Sequence, residues 1–140
     1  MLNIPLRVRN LAKRLATCNP DEIAKDLKIT VIYGETPIGA NGFWRRILRR
    51  KYICINEKLS GWQRKAVLSH EIAHILLHPH YTSYCMAGRT FFSRTIYEDE
   101  ADEFAVELLS QSVDVEKEYI FLFLKEGWKR SNNHSNVRGN

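Results

Sequence analysis

Ser69-His70-Glu71-Ile72-Ala73-His74-Ile75-Leu76-Leu77-His78-Pro79-His80 is the stretch on which the reading of this chain turns. It holds four of the five histidines and includes an HExxH sequence, His70-Glu71-Ile72-Ala73-His74. A helix advances about 100° per residue, so positions four apart share a face, and His70 and His74 can offer two imidazole nitrogens to one ion. Glu71 projects beside them, where a carboxylate can serve as general base without being a ligand. The flanks predict that the segment is helical. Ser60-Gly61-Trp62-Gln63 has the pattern of a capping box, so a long helix should begin at Ser60, and Pro79 sets its far limit. Trp62, Ala66, Val67, Leu68, Ile72, Ala73, Ile75, Leu76 and Leu77 make that helix apolar nearly all round, which predicts burial. Two histidines and a carboxylate buried there are costly without a partner, and a cation fits.

A hydrolytic zinc site takes three protein ligands and keeps a fourth position for water. The acid-rich run Glu98-Asp99-Glu100-Ala101-Asp102-Glu103 lies in a further expected helix, from about Tyr97 to Leu109, whose buried stripe is Ala101, Phe104, Ala105, Leu108 and Leu109. Measured from Glu98, Ala105 lies at roughly −20°, Leu109 at roughly 20° and Asp102 at roughly 40°, so Glu98 and Asp102 border the stripe. Asp99, Glu100, Glu103 and Glu107 are expected to face solvent. Glu98 is thus the expected third ligand. Asp102, one turn on, is the expected acceptor for the second ring N–H of a liganding histidine, namely His70. The rival ligand is His80, six residues after His74 as in HExxHxxGxxH. Leu77 stands where that pattern needs a turning glycine, and Pro79 restricts the backbone further. His78 and His80 are then expected at the rim or as polar caps on the helix end. Tyr81, Tyr84, Arg89 and Tyr97 are the candidates for a second oxyanion donor.

Outward from this pair, Leu6 to Ala16 carries apolar residues at helical spacing among Arg and Lys, which predicts a first amphipathic helix. Asn19-Pro20-Asp21-Glu22 reads as a new helix start, with Asn19 as N-cap and Glu22 closing a box-like pair, ending near Leu27. EIAKDLKI also opens like a DNA-reading helix-turn-helix, but Ile29 to Tyr33 is β-branched and aromatic and predicts a strand. Gly42 to Leu48 and Tyr52 to Asn56 should pair as a hairpin in a small, partly antiparallel sheet. A fifth helix is expected from about Val113 to Lys125, and its run Tyr119 to Leu124 is apolar enough to close the core from both sides or to form a contact surface. The fold class is therefore α+β, about five helices on about three strands.

The 140 residues suit one domain, expected over 1–128, with 129–140 as a polar, disordered tail. With 44% hydrophobic and 26% charged residues, collagen-like, mucin-like and wholly disordered readings fall away. Cys18, Cys54 and Cys85 form no CxxC pair, so reduced thiols in a cytoplasmic setting are expected. No apolar run approaches the roughly 20 residues of a membrane span, and the N-terminus has no uninterrupted signal-peptide core. The net charge of +5 permits an acidic partner without requiring one. Its densest part, Arg45, Arg46, Arg49, Arg50 and Lys51, lies in the expected hairpin, where charge also keeps exposed strands from aggregating.

From about Asn19 to Leu109 the chain resembles the ImmA/IrrE metallopeptidases, small HExxH proteins of bacteria, phages and integrated elements. The likeness runs through NPDEIAKDLKITVIY, KYICINEKLS, QRKAVLSHEIAHILLHP and EDEADEFAVELL, and the last two together are specific. It departs at Ser110-Gln111, where the family often has a proline after the ELL run. The resemblance implies a small zincin-like domain with a gluzincin-like site: one zinc ion on His70, His74 and Glu98, Glu71 catalytic, and Asp102 supporting a ligand. It implies a protein substrate as partner, a DNA-binding repressor of a phage or mobile element among them. Here that repressor is expected to be a separate chain, since no DNA-binding module is attached. The alternative from another class is a catalytically silent module that docks a partner through the basic hairpin or the apolar C-terminal helix. Direct nucleic-acid binding is not expected.

Overall fold

The computed structural model describes residues 2–37, 39–81 and 91–138, with side chains for all of these except 91–94 and 128–138. In chain order the elements are α1 (Ile4–Leu15), α2 (Pro20–Asp26), β1 (Ile29–Gly34), β2 (Gly42–Ile47), β3 (Arg50–Asn56), α3 (Gly61–Leu77), α4 (Phe91–Leu109) and α5 (Lys117–Arg138). Among the described residues, five helices and one mixed three-stranded sheet make the α+β class expected from the sequence.

Local chemistry explains most element ends. Asn3 caps α1, its side chain accepting from the Leu6 amide, and the helix closes through Ala16 in the left-handed region. Asn19 caps α2 by accepting from the Asp21 amide at 3.1 Å. The expected box with Glu22 does not form, because the Asn19 amide donates to Thr17 Oγ1 at 3.0 Å instead. Ser60 stands at the N-cap of α3 without a side-chain cap bond. Gly61 enters at φ +60, so the capping box read from Ser60 and Gln63 is replaced by a glycine turn. At the other end His78, preceding Pro79, leaves helical backbone at φ −134 and ends α3 there.

The strand order is β1-β3-β2, with β1 parallel and β2 antiparallel to β3. The β2–β3 hairpin turns through Leu48 and Arg49, both at positive φ, as the right-handed strand twist requires of a two-residue loop. Val31, Trp44 and Ile53 are in register across the three strands, and Trp44 and Ile53 are buried. Gly42 sits opposite Ile55. A Cβ there would come within 2.7 Å of Val67 Cγ1, so this glycine lets α3 lie close on the sheet.

Helix α3 is central and packs against the sheet, α2, α4 and α5. All ten residues from Ala66 to Ile75 are buried, as its all-round apolar pattern predicts. One core joins α1 (Ile4, Val8, Leu11), α2 (Ile23, Ala24), the sheet, α3 and the inner stripe of α4. A second joins Ala66 of α3 and Ala105 and Leu109 of α4 to Ile120 and Leu124 of α5. Only that i, i+4 stripe of α5 is buried in the Tyr119–Leu124 run, while Tyr119, Phe121 and Leu122 are exposed; the run does not close the core from both sides.

Three boundaries differ from expectation. Helix α4 begins at Phe91, ahead of the expected Tyr97. Helix α5 begins at Lys117, and its backbone stays helical to Arg138, past the expected end at Lys125 and through most of the stretch read as a tail. Between Lys125 and Arg138 there is no proline to stop it, and each added residue contributes a hydrogen bond. Among the described residues, no helix is long and apolar enough to cross a membrane.

Candidate metal centre

Helices α3 and α4 pack against each other, and the structure brings His70, Glu71, His74, Glu98 and Asp102 together at their seam. One ligand-type atom each from His70, His74 and Glu98 lies within 4.8 Å of the others, and all three residues are buried. The two Nε2 atoms are 3.1 Å apart. His70 Nε2 lies 3.3 Å from Glu98 Oε1, and His74 Nε2 lies 2.8 Å from Glu98 Oε2. Tetrahedral coordination with bonds of about 2.0–2.2 Å separates donor atoms by about 3.3 Å, a spacing that the two imidazole nitrogens approach, while the two Glu98 oxygens each face one of them. These residues could hold one divalent ion.

Around them each polar atom has a partner or a reason to want one. His70 Nδ1 lies 2.8 Å from Asp102 Oδ1, and Asp102 is fully buried. Asp102 Oδ2 lies 3.4 Å from Lys125 Nζ of α5, which also pairs with Asp99. Glu71 is 4% exposed, its Oε2 is 3.9 Å from His70 Nε2, and its Oε1 has no hydrogen-bond partner among the described residues. An unsatisfied buried oxygen is costly, and a water beside the cluster would satisfy it.

The electrostatics follow from burial and pairing. Burial pushes the Glu71 carboxyl up to about 7, against the pull of His70 and with the push of Glu98 and Asp102. Burial would also raise Glu98, but His74 and His70 outweigh it and hold the carboxyl well below the ordinary range. For His70, burial is outweighed by the hydrogen bonds to Asp102 and Glu98, so the ring stays protonated to well above its ordinary value. His74 is lowered, chiefly by burial. The seam therefore demands positive charge, which a proton on His70 or a divalent cation can supply.

Two expectations are corrected. His78, expected at the rim or as a cap on the helix end, is 6% exposed, with Nδ1 3.2 Å from His74 Nδ1 and Nε2 2.8 Å from Glu100 Oε1. It does end α3, but its ring points into the seam, because the i, i+4 rule that aligns His70 with His74 aligns His74 with His78. Glu100, expected to face solvent, is drawn to this imidazole; its flexible side chain reaches where the wheel angle alone does not point. His80 is exposed and stands outside the cluster.

Of the oxyanion candidates, Tyr84 and Arg89 lie outside the described residues. Tyr81 is buried; its hydroxyl donates to Glu98 Oε2 at 2.7 Å and its carbonyl accepts from Trp44 Nε1 at 3.1 Å, tying the site to β2. Tyr97 packs against the rings of His78 and Tyr81 at centroid distances of 4.6 and 5.0 Å. The part played by Lys125 was not legible in the sequence, since nothing local relates it to Asp102.

Comparison with known proteins agrees with this arrangement. A peptidase family profile described as the IrrE N-terminal-like domain matches residues 24–117, spanning α3 and α4. Uncharacterized immunity region protein 2 of Bacillus phage phi105 is 42% identical over 106 residues, covering 76% of this chain and 67% of that protein. No solved structure matches the chain. With its seam of paired histidines and a carboxylate inside the matched region, the chain belongs to the peptidase family of the IrrE N-terminal-like domain.

Proposed function

We propose that this protein is a zinc-dependent endopeptidase that hydrolyses a peptide bond in an intracellular protein. The observation that carries the reading is the convergence of buried His70, His74 and Glu98 from two packed helices, with Glu71 beside them. His70 Nε2, His74 Nε2 and a Glu98 oxygen would hold the ion. Bound there, zinc supplies Lewis-acid character that acidifies water and polarises a substrate carbonyl. Glu71 takes the proton of the attacking water and passes it to the leaving amine nitrogen as the C–N bond breaks. Burial raises this carboxyl above its ordinary value in the metal-free chain, which favours its taking up that proton. Asp102 accepts from His70 Nδ1–H and so keeps Nε2 of that ring free to bind. The Tyr81 hydroxyl fixes the Glu98 carboxylate against rotation.

The substrate we assign is a regulator of a phage or mobile element, a DNA-binding repressor in a separate chain, met in the cytoplasm. The immunity-region name of the phage relative supports that choice. Metal analysis of purified protein tests the centre: one zinc per chain is expected, lost in His70→Ala and in Glu98→Ala. Glu71→Gln should keep the zinc and lose peptide hydrolysis; a variant that still cleaves would remove Glu71 from its role.

A second reading, a silent module of the same fold that docks a partner, is favoured by the exposed Tyr119, Phe121 and Leu122 of α5 and by exposed Ile47 and Leu48 at the basic hairpin. Zinc binding with no cleavage of a repressor that the protein nevertheless binds would support it.

A further inference from the structure

Both histidines of the HExxH pair use Nε2 toward the seam, yet their second nitrogens are treated differently. His70 Nδ1 meets a carboxylate directly, Asp102 Oδ1 at 2.8 Å. His74 Nδ1 meets another imidazole, His78 Nδ1 at 3.2 Å, whose far nitrogen Nε2 meets Glu100 Oε1 at 2.8 Å. If His74 Nε2 is bare, as a ligand atom must be, its proton sits on Nδ1 and is donated to His78 Nδ1. That bond requires His78 to carry its own proton on Nε2, and Glu100, an acceptor, fixes it there. A single set of tautomers thus satisfies every contact along Glu100, His78 and His74. All three acids involved, Glu98, Glu100 and Asp102, lie within five consecutive residues of α4.

We propose that His78 is a positioning residue for the metal centre, relaying the Glu100 carboxylate to His74 so that His74 holds Nε2 toward the ion. The inference rests on the metal-centre reading above and adds to it a histidine and an acid that the HExxH pattern does not contain. The ring of His78 also packs on Tyr97, with centroids 4.6 Å apart, and on Tyr81 at 6.3 Å, so a purely space-filling role is the alternative to be separated.

Zinc(II) affinity, measured on metal-free full-length chain by competition with a chromophoric chelator, separates them. His78→Phe keeps a flat ring against Tyr97 but has no acceptor for His74 Nδ1–H, and should weaken zinc binding about 10- to 100-fold. His78→Asn can place its carbonyl oxygen near the former Nδ1 position and should recover most of that loss. His78→Phe binding zinc as tightly as the unsubstituted chain, or His78→Asn binding as weakly as His78→Phe, overturns the proposal.

Should His78→Phe not fold, ¹⁵N-resolved histidine NMR of the unsubstituted zinc-loaded protein decides. A proton on His74 Nδ1, with its resonance moving upfield in Glu100→Gln, is the expected result. Its absence, or a resonance indifferent to Glu100→Gln, refutes the relay. Failure of the unsubstituted chain to bind zinc at all would refute the metal centre and the relay together, whereas zinc lost in His70→Ala but unaffected in His78→Phe would refute the relay alone.

Discussion

Replacing Glu71 by glutamine should stabilise the metal-free protein at neutral and alkaline pH while removing its proposed chemistry. Glu71 is 4% exposed on the central helix, and burial raises its carboxyl from 4.5 to about 7 in the folded chain. Between those values the unfolded chain has released this proton and the folded chain still holds it, so the native state binds more protons and stability falls as pH rises. The contribution is fully present below pH 4.5 and is lost once the pH passes about 7. A difference of about 2.5 units at 1.36 kcal/mol each amounts to about 3 kcal/mol of destabilisation at pH 8. Glutamine resembles the protonated carboxyl in shape and cannot ionise, so Glu71→Gln recovers that amount at pH 8 and nothing at pH 4. For a chain of this length, about 3 kcal/mol corresponds to a rise in Tm of about 10 °C. Thermal unfolding of both proteins in chelator, from pH 4 to pH 8, is the assay. Equal Tm at pH 8, or a difference independent of pH, would refute the argument that burial of an ionisable carboxyl is what strains this site. The same variant should lose peptide hydrolysis by about 10²- to 10⁴-fold. Stability gained at the cost of chemistry is the usual mark of a functional group held in an unfavourable place.

Further expectations concern metal and packing. Free zinc at 100 times its Kd should stabilise the unsubstituted chain by about 2.7 kcal/mol, an increment seen as a higher Tm and absent in His70→Ala. Asp102→Asn should reduce zinc affinity by about 10- to 100-fold in chelator competition, since His70 would lose a charged acceptor and Lys125 its buried partner. Gly42→Ala should cost about 1–3 kcal/mol in denaturant unfolding, because the new Cβ meets Val67 Cγ1 at 2.7 Å and the Cys54 carbonyl oxygen at 3.0 Å. Ile53→Ala, at the fully buried centre of the sheet, should cost about 2–5 kcal/mol by the same measurement.

What the sequence by itself determined is whatever a single helix or strand can express through its own period. The burial of α3 follows from an apolar pattern without a polar face, and the alignment of His70 with His74 and of Glu98 with Asp102 follows from spacing by four. The hairpin and the β-branched strand at Ile29 were legible for the same reason. Contacts between elements obey no such period. The order β1-β3-β2, with one parallel and one antiparallel pair, depends on which strand takes each edge of β3, and β1, distant in sequence, takes the edge the hairpin leaves open. The pairing of His78 with Glu100, of Tyr81 with Glu98 and of Lys125 with Asp102 depends on where α4 and α5 lie against α3. A helical wheel gives the direction in which a Cβ leaves the axis, so it placed Glu98 and Asp102 toward the core. It does not give the reach of a long side chain around a neighbouring helix, and for that reason Glu100 was read outward and only the tertiary packing turned it in, whereas His78, four residues after His74, lies on the same face and was placed at the rim only because it ends the helix.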